Sequence, residues 1–345
     1  MPDYSIGVDL GGTNLRIAAL NQAGELLEKI TLGTRVAMGR DTVINDMCAA
    51  IRLMVDRHAS DELQGIGIGV PGIIDMRTGL LRESPNLPGW EDYPVRNEIE
   101  QRLHTRVILE NDANSAAMGE KWLGAGRNYD DMLMITLGTG VGGGVILNGR
   151  IWHGMNGMAG ELGHINIEAE GPPCGCGSRG CVEQYASATA VVRMAREAIA
   201  EGAPGLARAE QSGTEFSAAA IYNLAVQGDE DARRIFRRVG SSLGIVLAGL
   251  VNSLNLPMHV IGGGVASAWD AFAPTIFEEL RQRSMVYAAT APAAHFIGTA
   301  GASGQVEPTG AYRTIITRAL LGSDAGLFGA ARLAMDASIS AGSGS

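Results

Sequence analysis

A cluster of one histidine and three cysteines is the feature that most restricts how this chain can fold. His164 is followed after nine residues by Cys174, Cys176 and Cys181, in a sequence with four cysteines in all. One imidazole and three thiolates form the closed tetrahedral shell of a structural zinc site. A disulfide fits poorly, because Cys174 and Cys176 are almost adjacent and one thiol would remain unpaired. The spacing therefore predicts a structural Zn²⁺, with no open position for water, that shapes the loop at 161–183.

The composition is that of a globular protein with enough apolar residues for a large core. The chain has 345 residues, of which 46% are hydrophobic and 19% charged, and this length predicts two domains. The net charge of −10 disfavours nucleic acid and anionic membrane as partners. No run of about 18 apolar residues occurs, and the first residues do not resemble a signal peptide. With a cluster of reduced thiols, these properties predict a cytoplasmic location.

Short apolar strands alternate with helical patterns along most of the chain, which indicates an α/β fold. Two hairpins, VDLGGTNLRIAALNQAG and MLMITLGTGVGGGVILNGRIW, resemble each other, and this weak duplication suggests two related lobes. Residues 285–312 are rich in Ala, Gly, Pro and Thr and are predicted to form a long surface loop. A final helix is predicted at about 325–337, and residues 338–345 are predicted to be a disordered tail.

Three glycine turns are candidates for a nucleotide site. In the first, DLGGTNLR, Gly11 and Gly12 let backbone amides approach phosphate oxygens, and Asp9 can hold Mg²⁺ directly or through water. Each turn alone is more often an ordinary hairpin or strand–helix connection. Three such turns in this order, with an Asp before the first, indicate nucleotide binding. The predicted contacts are Asp9, Gly11, Gly12, Thr13, Asn14, Arg16, Gly138, Thr139, Gly140, Gly262, Gly263 and Gly264.

Six segments of the chain carry a resemblance to one known family. They are DLGGTNLRIA, GVPGIID, ENDANSAAMGE, LGTGVGGGVILNG, ELGH and CGCGSRGCVEQYAS, and the last two together are the most specific. Together they resemble the ROK family of sugar kinases and repressors, from Asp9 almost to residue 335. The resemblance implies a two-lobed α/β fold of the actin/hexokinase-like (ribonuclease H-like) ATPase type. ATP and sugar would bind in the cleft between the lobes.

The same resemblance implies a domain organisation. A small α/β domain is expected at residues 1–118, completed by the C-terminal helix at about 318–337. A large α/β domain is expected at 119–317, and it contains the zinc-binding loop. The stretch at 285–312 is longer than the family usually has before its final helix, and its role is open. The family suggests a homodimer or homotetramer.

Asp112 is the candidate general base. It follows the strand RVILEN and opens the helix ANSAAMGE, so its carboxylate should project from a strand end. A helix N-cap is an equally good reading of the residue type alone. The resemblance favours the base, which would accept the sugar 6-hydroxyl proton while that oxygen attacks the γ-phosphorus. Family positions further imply sugar contacts at Gly72, Asn86, Asn111, Asp112, Glu161, His164 and Glu183, with His164 also on zinc.

The resemblance therefore predicts an ATP-dependent hexose 6-kinase, with glucose as the leading substrate and with ATP, Mg²⁺ and structural Zn²⁺ as cofactors. Kinases of allose, fructose, mannose or N-acetylhexosamines present the same 6-hydroxyl, and polyphosphate is an alternative donor. A sugar-responsive transcriptional regulator lacking its DNA-binding domain is the alternative from another class. The acidic charge and the place of Asp9, eight residues after the start, disfavour DNA binding. A non-sugar actin-like ATPase has no use for the ELGH and cysteine motifs.

Overall fold

The computed structural model describes residues 3–84, 86–213, 215–292 and 312–342, with side chains described as far as residue 339. The chain forms two compact units. The first comprises Met1–Asp130, Gly144–Gly160 and Leu320–Ser345, and the second comprises Asp131–Gly143 and Glu161–Ala319. The boundary expected at residue 118 is wrong, because that residue lies inside a helix, and Gly144–Gly160 belongs to the first unit rather than the second.

The first unit is built on a five-stranded sheet. Its elements are β1 (Asp3–Leu10), β2 (Asn14–Asn21), β3 (Leu26–Gly33), α1 (Arg40–Arg57), β4 (Glu62–Val70), β5 (Ile73–Asp75), β6 (Leu80–Glu83), α2 (Val95–Leu103), β7 (Val107–Asn111), α3 (Asp112–Trp122) and α11 (Ala325–Gly342). The strand order is β3–β2–β1–β4–β7, with β1, β4 and β7 parallel and β1, β2 and β3 antiparallel. The carboxyl ends of β1, β4 and β7 therefore meet at one edge.

The C-terminal helix α11 packs so closely against this sheet and against α3 that the contacts leave no room for a Cβ atom at several glycines. A Cβ added to Gly67 would lie 1.8 Å from the carbonyl oxygen of Ala330, and one added to Gly7 would lie 2.1 Å from that of Leu327. In the other direction, a Cβ on Gly329 would lie 1.7 Å from the Ser115 carbonyl. The glycines in the strands of this sheet thus admit a helix that arrives from the far end of the sequence.

The second unit is also an α/β structure. Its elements are β8 (Met132–Leu137), the start of β9 (Val141–Leu147), α4 (Glu183–Ala186), α5 (Ala188–Ala200), α6 (Pro204–Glu210), α7 (Ala218–Val226), α8 (Glu230–Leu254), β11 (Met258–Gly262), α9 (Trp269–Arg283), α10 (Met285–Thr290) and β12 (Ile315–Arg318); β9 continues into the first unit, where β10 (Arg150–Ile151) pairs with it.

The order β10–β9–β8–β11–β12 repeats that of the first sheet. In both sheets three consecutive strands occupy one side, and two later strands add in parallel on the other. This agrees with the duplication suggested by the two hairpins.

Helix α8 is the central helix of the second unit. It is long and apolar enough to be tested as a membrane span, with a mean hydropathy of 1.2 over 18 residues, but 61% of that stretch is buried inside the protein. It packs against α9, α7, α5 and α4. Core helices of globular proteins have these same properties.

Two predictions about the C-terminal part of the chain need correction. Residues 285–290 form helix α10 rather than the start of a loop, with Ser284 as N-cap and Tyr287 buried. Residues 293–311, the larger part of the predicted loop, lie outside the described residues. Helix α11 continues to Gly342, so residues 338–342 are helical and not a disordered tail. Residues 343–345 lie outside the described residues.

Candidate active site

Strand β1 ends in an ion pair with its neighbour. Asp9 on β1 lies directly opposite Arg16 on β2, and Arg16 Nη1 donates to Asp9 Oδ2 at 2.9 Å. Burial raises the pKa of Asp9, and the hydrogen bond from Arg16 opposes that rise. The turn between the strands lies beside Asn86, since a Cβ added to Gly12 would be 3.4 Å from the Asn86 carbonyl oxygen. The predicted phosphate turn and one predicted sugar ligand are therefore neighbours in the first unit.

The turn itself is held by backbone hydrogen bonds. Gly11 N–H donates to the carbonyl of Asn14 at 2.9 Å, so this amide is already used within the hairpin. Thr34 ties the turn to β3, because its Oγ1 donates to Gly11 O at 2.7 Å and its N–H donates to Thr13 O at 2.8 Å. Gly12 and Thr13 are exposed. An anion would thus approach the middle of the turn rather than Gly11.

The strand–helix junction at the end of β7 presents Asn111 and Asp112. Asn111 is the N-cap of α3, since its Oδ1 accepts the N–H groups of Ala113 and Asn114 at 2.9 and 3.1 Å. Asp112 is the first residue of the helix, and its Oδ1 also accepts from Ala113 N–H at 2.9 Å. The capping function that the residue type allowed for Asp112 therefore belongs to Asn111.

Gly72 is brought next to this junction. The side-chain amide of Asn111 donates to the carbonyl of Gly72 at 3.1 Å. Gly72 has φ +117°, and a Cβ at this position would lie 2.1 Å from the carbonyl oxygen of Glu83. Both the backbone conformation and the available space therefore require glycine. Gly72, Asn111 and Asp112 come together in the first unit.

Sequence reasoning missed two residues beside this junction. Glu110 is buried at the end of β7, and its Oε2 lies 2.7 Å from Nε2 of His153. The hydrogen bond to Glu110 raises the pKa of His153, while burial opposes the rise. An acidic residue at the end of an apolar strand could have marked Glu110 as a candidate. No local pattern marks His153, because its partner Glu110 lies 43 residues earlier in the chain.

The predicted zinc ligands come together in the second unit. The donor atoms of His164, Cys174, Cys176 and Cys181 all lie within 4.8 Å of one another. His164 Nδ1 is 3.6 Å from the sulfur of Cys174, and the sulfurs of Cys176 and Cys181 are 3.7 Å apart. Zinc bonds of about 2.3 Å to sulfur and about 2.0 Å to nitrogen give tetrahedral edges of roughly 3.5 to 3.8 Å. The four residues thus fit a tetrahedral zinc ion.

The chemistry of the thiols fits a cation as well. Burial raises the pKa of the Cys181 thiol to about 12, and the neighbouring sulfurs add to the rise. Thiols bind metal as thiolates, so a bound cation supplies the charge that such a buried sulfur needs to ionise. The other ring nitrogen of His164, Nε2, lies 3.9 Å from Oε2 of Glu161. His164 therefore has one nitrogen toward the thiols and the other toward Glu161.

Glu183 joins the cysteine-containing segment to the second glycine turn. Its Oε2 accepts the N–H of Val141 at 2.9 Å, and its Oε1 lies 3.9 Å from the sulfur of Cys174. A Cβ added to Gly140 would be 2.4 Å from the same Oε2. Thr189 Oγ1 also donates to the carbonyl of Thr139 at 2.8 Å. The turn at 138–140, expected to bind phosphate, is thus packed against the segment expected to bind sugar.

The third glycine turn follows β11. Gly263 has φ +85°, and a Cβ there would lie 2.4 Å from the carbonyl oxygen of Leu137, so packing requires glycine. A Cβ on Gly262 would contact Met134 at 2.5 Å, whereas one on Gly264 would meet nothing within 4 Å. Gly264 therefore has the open surroundings expected for a ligand contact, while Gly262 and Gly263 serve the packing of β11 against β8.

Two of the four tryptophans, Trp90 and Trp152, differ in their surroundings. Trp90 is buried, with an exposed fraction of 1%, whereas Trp152 is 54% exposed. It lies beside the chain segment that carries His153.

Comparison with known proteins assigns the family. The ROK family model matches residues 5–337. The chain belongs to the ROK family. ROK relatives include the glucokinase of Halalkalibacterium halodurans, 40% identical over 289 residues that span 83% of this chain and 86% of that protein. The glucokinase of Thermotoga maritima is 37% identical over 329 residues, which span 95% of this chain and 96% of that protein.

A solved ROK structure has the same fold. The ROK family glucokinase from Streptomyces griseus, solved in complex with glucose and AMPPNP, is 32% identical, covers 96% of this chain and 99% of its own, and superposes with a TM-score of 0.77. The resemblance to ROK sugar kinases is confirmed, and so is the actin/hexokinase-like α/β fold. The candidate residues of the first unit are Asp9, Gly72, Asn86, Asn111 and Asp112, and those of the second unit are Glu161, His164, Glu183 and the three cysteines.

Proposed function

We propose that this chain is a glucokinase, which transfers the γ-phosphoryl group of ATP to the 6-hydroxyl of glucose. The observation that carries the proposal is the match to ROK glucokinases over most of the chain, at 37–40% identity. The strand–helix junction agrees with the proposal, because Asn111 rather than Asp112 is the N-cap of α3.

Asp112 is the proposed general base. Phosphoryl transfer requires alignment, neutralisation of charge and a base for the acceptor hydroxyl. Asp112 would accept the proton of the 6-hydroxyl while that oxygen attacks the γ-phosphorus. Proton transfer to a positioned base contributes about 10²- to 10⁴-fold to such reactions. A carboxylate at the first residue of a rigid helix satisfies the requirement for fixed placement.

The proposed contacts for the sugar hydroxyls are polar side chains and one backbone group. Asn111 and Asn86, with the backbone of Gly72, are the proposed contacts in the first unit. Glu161, His164 and Glu183 are those in the second, with Nε2 of His164 toward the sugar and Nδ1 toward zinc. A site that pairs each hydroxyl rejects analogues lacking one, because its own polar groups are then left unpaired.

ATP is the proposed phosphoryl donor, and the three glycine turns are the proposed contacts for its phosphates and adenosine. In the first turn these are Gly12, Thr13, Asn14 and Arg16, with Gly11 beside them but its N–H already used in the hairpin. The later turns contribute Gly138, Thr139, Gly140 and Gly264, while Gly262 and Gly263 would shape the last turn through their close packing. Asp9 would hold Mg²⁺ directly or through water, since burial favours a cation beside its carboxylate. Mg²⁺, when bound, neutralises charge on the phosphates.

Zinc is proposed as a structural ion. Four protein ligands would complete its coordination, so it supplies no bound water for chemistry. Its effect would reach the sugar through His164 and through Glu183, whose carboxylate lies between Cys174 and the turn at 138–140. Ligands of this kind are oriented by their partners in the surrounding shell.

The test is sugar-dependent formation of ADP across glucose, mannose, fructose, allose and N-acetylhexosamines, with zinc measured in the same preparation. The proposal predicts the highest kcat/KM for glucose, and formation of glucose 6-phosphate. A higher kcat/KM for another hexose would show that this hexose, and not glucose, is the substrate. Activity with polyphosphate in place of ATP would show that polyphosphate is a donor. No hexose-dependent turnover, together with retention on DNA at moderate salt, would favour the regulator.

The wider setting is proposed on the same basis. The acidic charge and the thiol cluster suit a cytoplasmic enzyme that acts on small molecules, without nucleic acid or membrane as partner. A homodimer or homotetramer is proposed from the family, and sedimentation velocity would measure it.

A further inference from the structure

A buried carboxylate lies behind the junction that presents Asn111 and Asp112. The side chain of Glu110 is only 3% exposed. Its Oε1 accepts the N–H of Asn111 at 2.9 Å and the side-chain amide of Asn114 at 3.0 Å. One donor belongs to the end of β7 and the other to the first turn of α3. Glu110 therefore links the strand end to the helix start with two hydrogen bonds from a single oxygen.

The second oxygen of this carboxylate pairs with His153. Glu110 Oε2 lies 2.7 Å from His153 Nε2, and the imidazole is 34% exposed. Among the titratable groups of the described chain, Glu110 is the one that shifts the pKa of His153, through a hydrogen bond and through its charge. An unpaired carboxylate in this position would carry a large desolvation cost, and an imidazolium partner offsets it.

We propose that Glu110, held by His153, is a positioning residue for the phosphoryl transfer. It fixes the orientation of the junction, and hence the direction in which Asp112 meets the 6-hydroxyl and Asn111 meets the sugar. The inference rests on the proposed function, because placement of Asp112 limits the rate only if Asp112 is the base. A displacement of about 1 Å at such a group can cost roughly 10²-fold in rate.

The decisive variant is Glu110→Gln. Glutamine keeps the size of the side chain and an oxygen that can accept from Asn111 and Asn114, but it removes the charge that holds His153. We expect kcat with glucose to fall by about 10- to 100-fold, with the KM for ATP changed by less than about twofold.

Glu120→Gln is the matched control. Glu120 is a second buried carboxylate, which lies on α3 at the far end from Asp112, where its oxygens accept the backbone N–H groups of Leu320 at 3.1 Å and Leu321 at 2.7 Å. This variant should lose thermal stability but keep kcat within about threefold, because it leaves the helix start in place.

Substitutions of His153 separate the charge from the hydrogen bond. In His153→Gln the side-chain amide can still donate to Glu110, and we expect kcat to stay within about threefold of the wild type. In His153→Ala the carboxylate loses its partner, and kcat should fall about as far as in Glu110→Gln. NMR titration of the imidazole gives a readout that does not depend on turnover. The pKa of His153 should decrease in Glu110→Gln and stay unchanged in Glu120→Gln.

The outcomes distinguish this inference from the proposed function. Wild-type kcat in a folded Glu110→Gln variant would overturn the positioning role. The role would also be overturned if Glu110→Gln and Glu120→Gln lost kcat equally, in proportion to their losses of stability. If Glu110→Gln does not fold, equal kcat in His153→Gln and His153→Ala overturns it instead. A wild-type protein without hexose-dependent turnover contradicts the proposed function, while the titration of His153 still tests the pair.

Discussion

The junction at 107–122 in the first unit and the segment at 161–183 in the second supply the proposed sugar contacts by different physical means. The junction is a buried strand followed by a helix, with Asn111 as cap and buried carboxylates near both ends of the helix. The segment has one short 3₁₀ turn and two isolated β-bridges before α4, and a cluster of four predicted metal ligands. On the proposed function, the protein alone would order the junction, whereas a cation would order the segment.

The largest expected effect comes from a substitution in the junction that removes the proposed base. Asp112→Asn keeps the size of the side chain and removes the base, so kcat should fall by about 10³-fold or more. Glucose affinity, measured by calorimetry, should change only modestly, because Asn111 still caps the helix. Retained turnover in a correctly folded variant would end the assignment of Asp112 as base.

Loss of the metal should affect the segment at 161–183 rather than the junction. Cys176→Ala removes one ligand, and we expect lower zinc content and a KM for glucose raised by about 10- to 100-fold, with a smaller change in the KM for ATP. Cys48→Ala is the control, since Cys48 is equally a thiol but lies buried in the core of the first unit. An unchanged glucose KM in a metal-stripped, folded sample contradicts the proposed coupling.

Much of this contrast could be predicted from the sequence, because its signals are local. The four predicted zinc ligands fall within a short stretch, and the glycine turns were visible in the local sequence. The capping of α3 could not be assigned, because Asn111 and Asp112 are adjacent and either residue type is a good cap. The Glu110–His153 pair and the burial of Tyr287 in α10 depend on contacts between distant parts of the chain, which no local pattern records.

The two units also place histidines in opposite surroundings, which gives a test by pH. His259 on β11 is fully buried, neither ring nitrogen has a hydrogen-bond partner among the described residues, and burial lowers its pKa to about 4. Between the ordinary value of 6.5 and about 4, the unfolded chain binds a proton that the folded chain does not. Its contribution to stability is therefore lost as pH falls through this window.

His259→Leu should remove this acid sensitivity and the unpaired ring nitrogens, raising the free energy of unfolding by about 1 to 3 kcal/mol. Urea titrations at pH 7 and pH 5 measure it. If the free energy of unfolding changed by the same amount between pH 7 and pH 5 in the variant and the wild type, His259 would not be the cause of the acid sensitivity.

The smallest expected effect concerns His153, for which the pH dependence of stability has the opposite sign to that of His259. Its pKa is raised by the pair with Glu110, so the stabilisation is fully present below pH 6.5 and is lost as pH rises through the raised value. His153→Gln should remove this alkaline decrease in melting temperature while changing the melting temperature itself by a few degrees at most. An unchanged decrease would show that another group causes it.

Hydrogen exchange of the zinc-loaded and the metal-stripped protein compares the two regions in one experiment. Backbone amides at 161–183 should lose protection when the metal is removed and regain it when zinc is restored, while those at 107–122 keep theirs in both states. Equal loss of protection in both regions, or none in the segment, would contradict the claim that the protein alone orders the junction and a metal orders the segment.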